Sequence, residues 1–79
     1  MGMRVRVKDL DEICERVNKL LRNIYLRVER RYNYFALDVY GKDGELIDTL
    51  ASGLTKRDVY NILLSVETVL RLEGVGIDE

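Results

Sequence analysis

Histidine, proline, tryptophan and glutamine are all missing from this 79-residue chain, and there is one cysteine, Cys14. A lone cysteine rules out an intrachain disulfide. With no histidine, a zinc site would have to be assembled from carboxylates and that single thiol, a donor set zinc rarely uses. The missing histidine also removes the usual general base for a thiol or hydroxyl nucleophile. No phosphate-binding fingerprint is present: the glycines at 41, 44 and 53 fit neither G-x-G-x-x-G nor a Walker loop and read as turn and strand-exit residues. No apolar run approaches the roughly 20 residues of a membrane span, and no signal-peptide pattern follows the start. Gly2 lacks the Ser or Thr four positions on that myristoylation needs, since Arg6 stands there. The expected location is cytoplasmic. Met3 reads as a second start, so Met1-Gly2 reads as an added dipeptide.

What is present is a folded composition, 47% hydrophobic and 34% charged, too apolar for a disordered chain. The scarcity of amides beside plentiful Arg, Lys and Glu is the balance of thermophile proteins. Net charge is −1, but it is polarised: residues 1–31 carry +4 and residues 32–79 carry −5. That is not the strongly basic balance of a typical nucleic-acid binder. It would let two copies attract each other.

Along the chain, Met3, Val5 and Val7 alternate with Arg4, Arg6 and Lys8, which predicts a first strand. Leu10, Ile13, Cys14, Val17, Leu20 and Leu21 then follow helical spacing, with Asp9 as N-cap and Glu12 completing its capping box. Three strand patterns come next: Ile24–Glu29, Tyr34–Tyr40 and Glu45–Ala51. The first hairpin turns at Tyr32-Asn33, with Asn tolerating the left-handed region, and the second at Gly41–Gly44. This register sets Val28 opposite Leu37, Leu26 opposite Val39, Arg27 opposite Asp38 and Tyr25 opposite Tyr40. The second hairpin sets Val39 opposite Ile47 and Tyr40 opposite Leu46. A last helix starts at Thr55 with Asp58 in the box position. It carries a stripe of Val59, Ile62, Leu63, Val66, Val69 and Leu70 and stops at Gly74, with 75–79 frayed. The expectation is one α+β domain over residues 1–79, in two layers. Both helices cover the face made by Leu26, Val28, Phe35, Leu37, Val39 and Ile47 of an antiparallel or mixed sheet, in the order β-α-β-β-β-α.

No catalytic, metal-binding or cofactor-binding residues stand out. Asp38 and Asp48 fall nearly opposite each other on the uncovered face, but Arg27 beside Asp38 would neutralise the row. Cys14 sits on an apolar stripe, where a thiol packs as a small hydrophobe. From the first helix onward, the order α-β-β-β-α resembles that of the double-stranded-RNA-binding domain. Gly53-Leu54-Thr55-Lys56-Arg57-Asp58 is similar to the start of that family's basic second helix. Tyr60 stands where the family has a third lysine, and the first hairpin lacks its G-P-x-H loop. The resemblance implies phosphate contacts from Lys56 and Arg57, and Arg27, Arg30 and Arg31 would extend them.

The remaining feature is an apolar excess outside the expected core. Tyr25, Ala36, Tyr40, Leu46 and Leu50 fall on the face opposite the helices, and Tyr60 and Leu64 lie on the flank of the last helix. Monomers rarely leave a contiguous patch of this kind uncovered. The first functional expectation is therefore a non-enzymatic interaction module that forms a homodimer through these residues. The second is a small nucleic-acid-binding domain.

Overall fold

The computed structural model describes residues 4–77, with side chains described through residue 74. Helix α1 (Val7–Leu20) is followed by strands β1 (Ile24–Arg31), β2 (Tyr34–Gly41) and β3 (Leu46–Leu54), and then by helix α2 (Lys56–Ile77). The strands form one open antiparallel sheet in the order β1-β2-β3. The helices pack on each other and on one face of the sheet. The core is built from Val5, Leu10, Ile13, Cys14 and Val17, from Leu26, Phe35 and Leu37 of the sheet, and from Val59 and Leu63 of α2. The α+β class and the single covered face are those expected.

The expected first strand is not formed among the described residues. Met3 lies outside them, Arg4–Arg6 carry no ladder, and Val7 and Lys8 already belong to α1. One-sided burial alone produced the alternating pattern: Val5 drops into the core while Arg4 and Arg6 stay outside. The cap moves accordingly. Arg6, not Asp9, is the N-cap, and Asp9 sits three residues on, its carboxylate accepting the Arg6 N–H at 2.9 Å. An acidic side chain there satisfies one of the donors that the first helical turn leaves open.

The first hairpin has the predicted register throughout: Tyr25↔Tyr40, Leu26↔Val39, Arg27↔Asp38 and Val28↔Leu37 are all paired. Its tip differs in one respect. Tyr32, not Asn33, takes the positive φ, at 56°. At the second hairpin Gly44 has φ 88°, the Gly44 N–H donates to the Gly41 carbonyl at 2.9 Å, and the Gly41 N–H donates to Glu45 at 2.9 Å. This is the expected tight turn closed by a glycine bulge.

Strand β3 then departs from simple alternation. Tyr40↔Leu46 holds as expected, but Val39 faces Asp48 instead of Ile47. Between Tyr40↔Leu46 and Phe35↔Leu54, β2 advances five residues while β3 advances eight, so three residues of β3 are extra. Each bulge bends the strand and shifts the residues beyond it to the other face. Ile47 is thereby lost from the core and is 60% exposed.

Helix α2 starts as predicted. The Thr55 N–H donates to Asp58 at 3.0 Å, and the Asp58 N–H donates to the Thr55 hydroxyl at 3.1 Å. Hydrogen bonds to the carboxylate, from the Thr55 N–H first and the Thr55 side chain second, hold the Asp58 carboxyl below its usual range. The helix does not stop at Gly74 but continues to Ile77. Five of the six stripe residues are where the pattern puts them: Val59 and Leu63 are buried in the core, and Ile62, Val66 and Leu70 pack against it. The departures are Val69, which is exposed, and the buried Glu67. Its carboxylate takes two hydrogen bonds from Arg16 of α1, both at 2.9 Å, and one from Arg71 at 3.0 Å. These bonds, Arg16 first and Arg71 second, hold the Glu67 pKa down to about 2.

Candidate functional site

Each sheet edge has some of its strand-pairing groups taken up within the chain. On β1, the Asn18 side chain of α1 accepts the Leu26 N–H at 2.8 Å and donates to the Leu26 carbonyl at 2.9 Å. One carboxamide thus makes the pair of bonds that an added strand would make. The Cys14 thiol donates to the same carbonyl at 3.2 Å. Burial first, and Asp11 second, push this thiol above its ordinary pKa. A thiol so placed is a poor nucleophile at neutral pH. On the other edge, β3 is broken by its bulges, and the Thr49 N–H is taken by the Asp48 carboxylate at 2.7 Å. Bulged edges resist strand addition. The sheet face away from the helices is open.

On that face Tyr25 and Tyr40 stack, with ring centroids 5.4 Å apart and planes 15° from parallel. The Arg27 guanidinium lies 5.3 Å from the Tyr40 ring centroid and pairs with Glu29 at 3.2 Å. Arg27 was the expected partner of Asp38, but Arg31 takes that role at 2.7 Å, and the Thr49 hydroxyl donates to the other oxygen at 2.9 Å. Asp38 is consequently 1% exposed on a face expected to be open. The bulges set Asp48 opposite Val39, so the two carboxylates do not converge. Among the described residues no group of acidic or sulfur side chains is placed to hold a metal ion.

The residues singled out from sequence therefore separate into groups. Leu46 lies opposite Tyr40, Leu50 is left unmatched by a bulge, and each is 52% exposed. Tyr25 and Tyr40 are half-buried by their stack, and Ala36 is fully buried and offers no surface. Tyr60 is partly buried and packs against the core, while Leu64 is 41% exposed. Of the basic set, Arg27 and Arg31 are held by Glu29 and Asp38. Arg30 leans over Phe35, whose side chain belongs to the core on the other side of the sheet. Lys56 and Arg57 open α2 and are exposed. Four further aliphatics, Val7, Ile47, Val69 and Leu72, are exposed outside the expected interface, and at Ile47 the bulges of β3 that expose it carry no compositional mark. Glu67 left a clearer trace: it lies four residues from both Leu63 and Arg71, an acid on an apolar line with a cation one turn on.

No family model, curated protein or solved structure matches the chain. No helix among the described residues is long and apolar enough to cross a membrane.

Proposed function

We propose that the chain is a non-catalytic association module that works as a homodimer, two copies stacking the faces that carry Tyr25, Tyr40, Leu46 and Leu50. The observation that carries this reading is exposed apolar surface on β3 beside the tyrosine stack. Leu46 and Leu50 are each 52% exposed, and Leu46 is paired with Tyr40, which stacks on Tyr25. Monomers rarely leave such a patch uncovered. The molecule is a plate, 17 Å through its thinnest dimension.

Charge chooses the orientation. A two-fold axis parallel to the strands lays β1 of one copy over β3 of the other. That brings exposed Arg27 toward the end of the partner's sheet where the turn holds Asp43 and Glu45. An axis across the strands would set like over like. Sedimentation equilibrium over a wide concentration range tests the proposal. A dimer is expected for the parent chain and a monomer for Leu46→Lys with Leu50→Lys. A parent chain that stays monomeric at the highest concentration defeats it.

Nucleic-acid binding, through Arg27, Arg30, Arg31, Lys56 and Arg57, is the weaker reading. Two of these five cationic side chains already neutralise carboxylates of this chain, and phosphate contacts supply most of a binder's affinity. Submicromolar, salt-sensitive binding to a duplex, lost on Lys56→Glu with Arg57→Glu, would reverse the order.

A further inference from the structure

A second surface lies where the two helix starts meet. Arg4 and Arg6 of the N-terminal stretch, Val7 at the first position of α1 and Lys56 at the first position of α2 line a cleft of about 340 Å³. Its lining holds three cations and no acid. Among the described residues, none of the three cations has a carboxylate within 4.0 Å, whereas Arg16, Arg27, Arg31 and Arg71 each have one. The carboxylates nearest in sequence are turned to the backbone, Asp9 to the Arg6 N–H and Asp58 to the Thr55 N–H. Like charges gathered around one space without a carboxylate in direct contact repel, and an anion between them relieves that repulsion. The fourth wall is apolar: Val7 is 46% exposed although it begins a helix whose other valine, Val17, is buried. The volume is at the small end of the roughly 300–1,000 Å³ of small-molecule sites.

We propose that this cleft binds a small organic phosphate monoester. Arg4 and Arg6 would grip the phosphate oxygens in their planar forks, Lys56 would add a point charge, and Val7 would meet the carbon skeleton. The proposal is independent of the sheet face and of self-association.

The test is a titration followed by backbone amide resonances at constant ionic strength. The probes are phenyl phosphate, inorganic phosphate, benzoate and a short DNA duplex. Saturable shifts confined to residues 4–9 and 55–58 are expected with phenyl phosphate, with weaker binding of inorganic phosphate. Arg4→Gln, Arg6→Gln and Lys56→Gln together should weaken phenyl phosphate on the order of tenfold or more. Val7→Ser should narrow its advantage over inorganic phosphate. All four side chains are exposed, so the variants are expected to keep the parent's melting temperature, and Arg22→Gln with Lys42→Gln serves as the charge control. Shifts that do not saturate, that persist in the triple variant, or that benzoate reproduces with equal affinity would overturn the proposal. So would binding of the duplex without binding of either small phosphate.

Discussion

Tyr32 holds φ 56° with its side chain 93% exposed, so it accepts the strain of a left-handed backbone and gains no packing in return. For an L-residue with a Cβ that conformation costs roughly 1–2 kcal/mol. Tyr32→Gly is expected to raise stability by about 0.5–1 kcal/mol after the added freedom of the unfolded chain is counted, seen as a melting temperature a few degrees higher. Asn33→Gly should give no such gain, since Asn33 is not at positive φ. A gain at 33 and none at 32 would mean the hairpin turns as its sequence suggests and not as described. Asp38 behaves in the opposite way. It is fully enclosed on the open face by Arg31 and Thr49, so Asp38→Asn removes a charge-assisted bond and leaves a guanidinium with a weaker partner. A loss of about 1–3 kcal/mol is expected in denaturant unfolding. A variant as stable as the parent would show that the pair is merely superficial.

Elements were legible in the sequence to different depths, and the differences have physical causes. The first hairpin could be read to the residue because apolar faces and opposite charges agree on one register, and a one-residue slip would expose Leu26 and Leu37 together. The α2 N-cap was equally plain, because the Thr55–Asp58 pairing is entirely local. The second hairpin was readable only to Tyr40↔Leu46, since bulges depend on how an edge strand coils and not on its own pattern. The first strand was misread because Val5 is buried from an unpaired segment between exposed Arg4 and Arg6, which gives the alternation of a strand without its pairing. Of the candidate interface, Leu46, Leu50 and Leu64 were identified as exposed, but the burial of Glu67 was hidden because its partner Arg16 lies 51 residues away. That pair also makes a pH prediction. Glu67's pKa is held at about 2 in the folded chain, below its ordinary 4.5. A depressed carboxyl contributes stability fully above its unfolded pKa and loses it as pH falls toward the folded value. The parent's melting temperature should therefore fall between about pH 5 and pH 2. Glu67→Gln should start lower at pH 7 and fall less steeply, the remaining slope coming partly from Asp58, which is depressed too. Parallel curves for the two proteins would show that the Arg16–Glu67–Arg71 cluster does not couple the helices.

At the scale of the whole molecule, the chain has few means of holding a thin plate together. Its cysteine is a free, buried thiol, and among the described residues there is no metal cluster. Domains this short rarely gain more than about 3–5 kcal/mol from one core, and here almost all of β3 lies outside that core. A second copy over the open face would cover Leu46 and Leu50, at roughly 25 cal/mol per Å² of apolar area before the cost of association. With Leu26 of β1 already paired to Asn18 and β3 bulged, stacking would be favoured over strand addition, and it would end at two copies because a two-fold pairing uses the same patch on both. If folding and pairing are linked in this way, stability depends on concentration by mass action. The melting temperature of the parent should rise steadily with protein concentration, whereas Leu46→Lys with Leu50→Lys should melt lower and at one temperature throughout. Both leucines are half exposed in the single chain, so in a true monomer the double substitution is expected to change stability by no more than about 0.5 kcal/mol per site. The two cases therefore separate cleanly. A concentration-independent parent and a variant that melts with it would place the chain among monomers and leave its exposed apolar surface to a different partner.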